Sequence, residues 1–208
     1  MGRSMKTLSM ILLRMRRSVL DLIEDRSGIA ATEFAVIVPI MLVMFFGTVE
    51  FSSGVAVDRK VTLMARTLSD LTSQSTTVGD PDVTDFFSAS NAIMTPYSAT
   101  PTTATISELY VDPNTFQARV QWSRSATMTS TGGVVLAAGR PVSSIVVIPS
   151  QLAVGGTYLI FSEVSYLYKP TIGYVMVKTG VTLKDVSYTR PRQSTCVWYS
   201  PATACTTL

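Results

Sequence analysis

Residues 29–49 read Ile-Ala-Ala-Thr-Glu-Phe-Ala-Val-Ile-Val-Pro-Ile-Met-Leu-Val-Met-Phe-Phe-Gly-Thr-Val, with Glu33 as the sole charge. No later stretch compares; the apolar run at Ser143–Pro149 is far too short. As a helix the segment spans about 31 Å, enough for the ~30 Å hydrocarbon core of a bilayer. It therefore predicts a transmembrane helix. The competing readings are a buried core helix and a cleaved signal peptide ending near Ser53-Gly54-Val55-Ala56. The second fits poorly, because the preceding region is long and carries acids, and the apolar run exceeds the usual ~7–15 residues. Pro39 lacks a backbone donor and crowds the carbonyl of Ala35, so a local bend is expected.

Charge sets the orientation. Arg3, Lys6, Arg14, Arg16, Arg17 and Arg26 precede the span, against Asp21, Glu24 and Asp25. The positive-inside rule keeps this leader in the cytoplasm and sends the C-terminal bulk outside. The organisation expected is a basic cytoplasmic leader over 1–28, a transmembrane helix over 29–49, an amphipathic extension over 50–72 and an extracytoplasmic domain over 73–208.

Composition narrows the chemistry. The 208 residues contain no histidine, which excludes Ser-His and Cys-His pairs, His-ligated zinc and a histidine pH switch. Two cysteines cannot build a four-cysteine metal site, and no metal or other cofactor is expected. The net charge of +3 lacks the clustered basic face of a nucleic-acid binder. No motif for a small-molecule substrate stands out. The glycines of Thr131-Gly132-Gly133 and Gly139-Arg140 lack the Gly-Lys-Ser/Thr of a phosphate loop and read as a turn.

A carboxylate inside a span costs roughly 2.5–3.5 kcal/mol at mid-membrane, and less near its end, where Glu33 sits. Its context is Asp25-Arg26-Ser27-Gly28, then Ile29-Ala30-Ala31-Thr32-Glu33-Phe34. This resembles a type IV prepilin junction, which a membrane aspartyl peptidase cuts after the glycine. The resemblance implies cleavage between Gly28 and Ile29, with Glu33 fifth in the mature chain. Residues 25–71 as a whole look like the TadE/TadG-like pseudopilin segment of Tad (Flp-type) pilus systems: Glu33-Phe34, an internal proline, then Gly47, Glu50 and Phe51. A looser likeness covers Glu163-Val164-Ser165-Tyr166, Pro170 and Tyr188-Thr189-Arg190-Pro191-Arg192. The family implies an assembly role for Glu33 and Phe34. Its implied partners are a prepilin peptidase, other pilins or pseudopilins, and an inner-membrane platform, besides membrane lipid around the span.

Beyond the span, Val57, Val61, Met64, Leu68 and Leu71 mark one apolar helical stripe. Asp58, Arg59, Lys60, Arg66 and Asp70 take the other faces, so one helix should reach about residue 72. The stripe serves either the protein's own sheet or neighbouring subunits. Asp80-Pro81 reads as an N-cap with proline at the first helical position, and Phe86, Phe87, Ile93 and Met94 suggest a short helix. Asp80, Asp82 and Asp85 lack the spacing of a calcium loop.

From 104 the period becomes two. Phe116, Ala118, Val120 and Trp122 alternate with Gln117, Arg119, Gln121 and Ser123, and Ile106–Val111 is the hairpin partner. Ile145–Ile148, Tyr158–Tyr168, Tyr174–Val177 and Val181–Tyr188 read as further strands. Tyr158, Tyr166, Tyr168, Tyr174 and Tyr188 are expected to pack the sheet. The fold class is α+β: a long N-terminal helix, then an antiparallel, pilin-like sheet domain. Cys196 and Cys205, in an oxidising compartment, suggest a disulfide, with free thiols as the alternative.

The expected function is a non-enzymatic pseudopilin or minor pilin of the bacterial inner membrane. It would be single-pass, with its C-terminal domain periplasmic, and would join or prime a pilus-like bundle. The alternatives are an unprocessed, membrane-anchored adhesin or binding domain, and an extracytoplasmic enzyme.

Overall fold

The computed structural model describes residues 27–98, 100, 102–129, 133–170, 180–202, 204, 205 and 207. The chain forms two compact units, residues 1–48 and 49–208. Residues 1–26 of the leader, Gly132 and the Tyr174–Val177 strand expected from sequence lie outside the described residues.

Helix α1 spans Ser27–Ser73 and continues through Pro39. Within the first unit its apolar side chains from Ile29 to Phe46 face outward. Thr32 Oγ1 donates to the Ile29 carbonyl at 2.8 Å, and Thr48 Oγ1 to the Met44 carbonyl at 2.9 Å. These hydroxyls thus bond their own helix rather than demanding water.

In the second unit α1 becomes the spine of a domain. Val57, Val61, Met64, Ala65 and Leu68 are buried, while Leu71 is only partly covered. The apolar stripe therefore faces the protein's own sheet. There follow β1 (Thr77–Val78), α2 (Asp80–Asn91), β2 (Thr102–Val111), β3 (Ala118–Met128), β4 (Val134–Ala138), β5 (Ile145–Val146), β6 (Tyr158–Tyr168), β7 (Val181–Thr189) and β8 (Trp198–Tyr199). The main sheet is antiparallel in the order β4-β3-β2-β6-β7, with β5 also pairing β3. A separate parallel pair joins β1 to β8.

Two cores lie on opposite faces of the sheet. One packs α1, α2 and Met94 against Ala104, Ile106, Trp122, Ala126, Met128, Ile160, Val164, Tyr166 and Tyr168. The other gathers Leu109, Val111, Ala118, Val120, Val146, Leu159 and Phe161. The switch between faces is a β-bulge. Glu108 pairs with Trp122 but Leu109 with Val120, leaving Gln121 as the extra residue. One extra residue reverses side-chain parity. The alternation read from sequence as a single face is thus corrected: Val120 and Trp122 belong to different cores. Phe116 lies outside the strand, at φ 55° in the β2–β3 turn and 57% exposed.

Other expectations shift in detail. The N-cap of α2 is Gly79, not Asp80; the Gly79 N–H donates to Asp82 Oδ2 at 2.8 Å. Asp80 is the first helical residue, and its carboxylate binds Arg124 and Tyr199 instead. The strand expected over Ile145–Ile148 shortens to Ile145–Val146, since β3 offers partners only at Ala118 and Arg119. Strand β4 was not legible as a strand. Gly139 is less a turn residue than a close approach: a Cβ there would meet Ser123 Oγ at 2.1 Å and Arg124 N at 2.9 Å. Tyr158, Tyr166 and Tyr168 are buried, and Tyr188 stacks on Phe161 at 4.8 Å, so these rings pack the sheet.

Candidate functional site

The residues expected to serve processing and assembly share the first two turns of α1. Gly28 has nothing within 4 Å of a Cβ position. Ile29 and Glu33 are four residues apart, which puts them on one helix face about 6 Å apart along the axis. Both are exposed, and Phe34 is 69% exposed beside them. This unit presents a carboxylate on an otherwise apolar, uncovered surface. Chemically such a surface can engage lipid or other apolar helices.

Glu50 and Phe51, adjacent in sequence, part company at the start of the second unit. Glu50 is buried and Phe51 is exposed. Successive helical residues are about 100° apart, so one turns into the domain and the other away from it.

The second likeness, near the C-terminus, corresponds to residues that clasp the domain. Arg140 holds Glu163 through two bonds of 2.7 Å, from Nε to Oε2 and from Nη2 to Oε1. The partner of Glu163 follows from Gly139: only a residue without Cβ lets the chain approach β3 closely enough to place Arg140 there. Tyr166 Oη donates to the Ser98 carbonyl at 3.1 Å. The Arg192 N–H donates to the Ser73 carbonyl at 2.9 Å, and its guanidinium pairs with Asp70 at 2.5 Å. An otherwise orphaned carbonyl at the end of α1 is thereby satisfied, and a cation sits at the negative end of the helix.

The rest of the C-terminal segment extends this clasp. The Trp198 N–H donates to the Thr76 carbonyl, and the Ser200 N–H to the Val78 carbonyl. Tyr199 donates its hydroxyl to Asp80, and Arg124 Nε donates to the Tyr199 oxygen at 2.8 Å. Cys196 and Cys205 form the disulfide, with Cα atoms 5.8 Å apart. Cys196 is fully buried, so the bridge ties the exposed end of the chain to the core.

Sequence reasoning missed Glu108. It is buried on β2, where its Oε1 accepts the Val197 N–H at 2.5 Å. Trp122 Nε1 donates to the Val197 carbonyl at 2.6 Å. Burial pushes the Glu108 carboxyl up to about 8, against the opposing pull of the Val197 N–H and the Trp122 indole. Its position in the α1-facing row, after Ala104 and Ile106, was the available signal. Among the described residues no group of three or more His, Cys, Asp or Glu is placed to hold a metal ion. The expected assembly residues Glu33 and Phe34 belong to the first unit and the disulfide to the second.

Among the described residues one helix is long and apolar enough to cross a membrane, and an antiparallel sheet domain follows it; this is an α+β protein compatible with single-pass membrane anchoring. Within that class the helix carries a family signature. Residues 28–68 match the family model described as TadE-like protein, so the chain carries a TadE-like segment over its N-terminal helix. No curated protein and no solved structure matches the chain.

Proposed function

We propose that the chain is a non-catalytic structural component of Tad-type pilus assembly, a pseudopilin or minor pilin. It is made as a precursor with its leader in the cytoplasm and its sheet domain in the periplasm. A prepilin peptidase cuts between Gly28 and Ile29, and the product joins other pilins at an inner-membrane platform. The observation that carries this reading is the family match beginning at Gly28 on an exposed apolar helix with Glu33 one turn beyond Ile29.

The chemistry follows from that spacing. Cleavage leaves a cationic amine on Ile29. In a bundle of such helices the amine of one copy can pair with Glu33 of a neighbour. Attraction is strong in low dielectric, but desolvation offsets much of it. The larger effect is on register, because a wrong stagger leaves Glu33 unpaired in lipid.

The test is the N-terminal sequence and intact mass of the membrane-bound protein from its native host, with and without the prepilin peptidase. A start at Ile29 only when the peptidase is present supports the reading. A start at Met1 in both backgrounds overturns processing and leaves an anchored binding domain.

A further inference from the structure

The paired strand ends Tyr168 and Val181 of β6 and β7 lie beside the first turns of α1 in the second unit. Tyr168, the last residue of β6, donates its hydroxyl to the Glu50 carbonyl at 3.5 Å. Its ring lies 3.7 Å from where a Cβ on Gly54 would stand. Val181, the first residue of β7, pairs with Tyr168. Gly180 precedes it at φ 84°, where a Cβ would meet the Tyr168 carbonyl oxygen at 2.6 Å, so only glycine brings the strands together here. Between the helix and these strand ends runs a groove of about 210 Å³ walled by Phe51, Gly54, Val55, Tyr168, Val181 and Leu183, with Asp58 among its lining. Phe51 is 67% exposed and Val181 39%.

The position of these residues along α1 decides which solvent the groove meets, given the reading of 29–49 as a membrane span. At ~1.5 Å per residue, Phe51 stands about 3 Å beyond Val49, Val55 about 9 Å and Asp58 about 14 Å. The polar interface on each side of the hydrocarbon core is roughly 5–8 Å thick. The apolar lining thus falls within that layer or at its outer edge, and the groove's one charge lies beyond it. Tyr168 is a residue type favoured at this depth, and exposed Lys169 follows it in the chain. A stable protein partner needs about 800 Å² per side, more than these few apolar side chains offer.

We propose that this groove is filled by bilayer lipid, which seats the β6–β7 end of the sheet in the headgroup layer. Phe51 and Val181 meet the boundary between acyl chains and headgroups, and Lys169 meets anionic headgroups. The domain is then held at the bilayer by two contacts, its helix and the paired ends of β6 and β7.

The test is nitroxide depth measurement on the full chain in phosphatidylcholine vesicles containing phosphatidylglycerol. Single labels replace Val181, Met44 in the span, and Val147, which is 90% exposed. The native cysteines are in the disulfide and do not react. Accessibility to oxygen relative to a water-soluble nickel chelate should be highest at Met44 and several-fold higher at Val181 than at Val147. A Val181 label as water-accessible as Val147, with Met44 in lipid, overturns the proposal and leaves the span intact. A water-accessible Met44 overturns the span reading and the proposal with it. If protection at Val181 falls on tenfold dilution of protein in lipid, or its spectrum shows spin–spin broadening, a second copy fills the groove and the proposal fails.

Discussion

Replacing Glu108 with glutamine should stabilise the sheet domain at neutral pH. The carboxyl is 2% exposed and held near 8 by burial, whereas in the unfolded chain it ionises near 4.5. Between those values the unfolded state has released a proton that the native state keeps. Stability therefore falls as pH rises from about 4.5 to about 8, and this residue contributes no slope outside that window. Integrated to pH 7, the loss is roughly 3 kcal/mol relative to the acid limit, a large share of the ~5–15 kcal/mol available to a domain. Glu108→Gln keeps an oxygen for the Val197 N–H and does not titrate, so it should recover most of that amount. The assay is denaturant unfolding of the full chain in detergent micelles at pH 5, 6, 7 and 8, followed by tryptophan fluorescence; Trp122 pairs directly with Glu108 across the strands. The difference between variant and wild type should grow by up to about 1.4 kcal/mol per pH unit. A constant difference across the series, with the variant the less stable, would falsify the account, because Glu108 would then be ionised in the folded protein.

Three further outcomes follow from the same geometry. Reduction of Cys196–Cys205, or its replacement by serines, should cost about 2.5–3 kcal/mol by loop entropy, read as a lowered unfolding midpoint with and without reductant. Gly139→Ala drives a Cβ into Ser123 and the Arg124 backbone and should destabilise by about 1–3 kcal/mol; Ser123→Ala should not rescue it, because the backbone contact at 2.9 Å remains. Glu33→Ala should leave membrane insertion unchanged in carbonate extraction while reducing co-purification with other pilins; unimpaired assembly would remove Glu33 from the mechanism.

Much of the architecture was legible because it is written in long-period signals. The change from an unbroken apolar run to a 4-3-4-3 stripe at Val57 locates the point where α1 leaves one environment and enters another. Strand β6 was read over its whole length, Tyr158–Tyr168, because it is an interior strand rich in aromatic and aliphatic residues. What escaped were features set by one residue or by distant partners. The bulge at Gln121 leaves a sequence indistinguishable from clean alternation, yet it exchanges the faces of Val120 and Trp122. Asp80 reads locally as a cap, but its ligands are Arg124 and Tyr199, far away in the chain. Glu108 reads as a strand polar residue, and only the return of Val197 to the sheet buries it.

The C-terminal segment explains why the second half of α1 can be so sparsely protected by its own chemistry. A helix end with no basic residue in its last turn has carbonyls to satisfy, and α1 is such a helix. Arg192 supplies both the missing donor and the missing cation from far along the chain. From there the segment pairs β8 with β1, caps the Glu108 carboxyl with the Val197 N–H and closes on itself through Cys196–Cys205. A segment more than 110 residues further along the chain thus fixes the Ser73 end of α1. Loss of the disulfide should therefore loosen the Ser73 end of α1 before the Val57 end. Hydrogen exchange would report that as earlier loss of protection at the last turn of α1 than at Val61 or Met64.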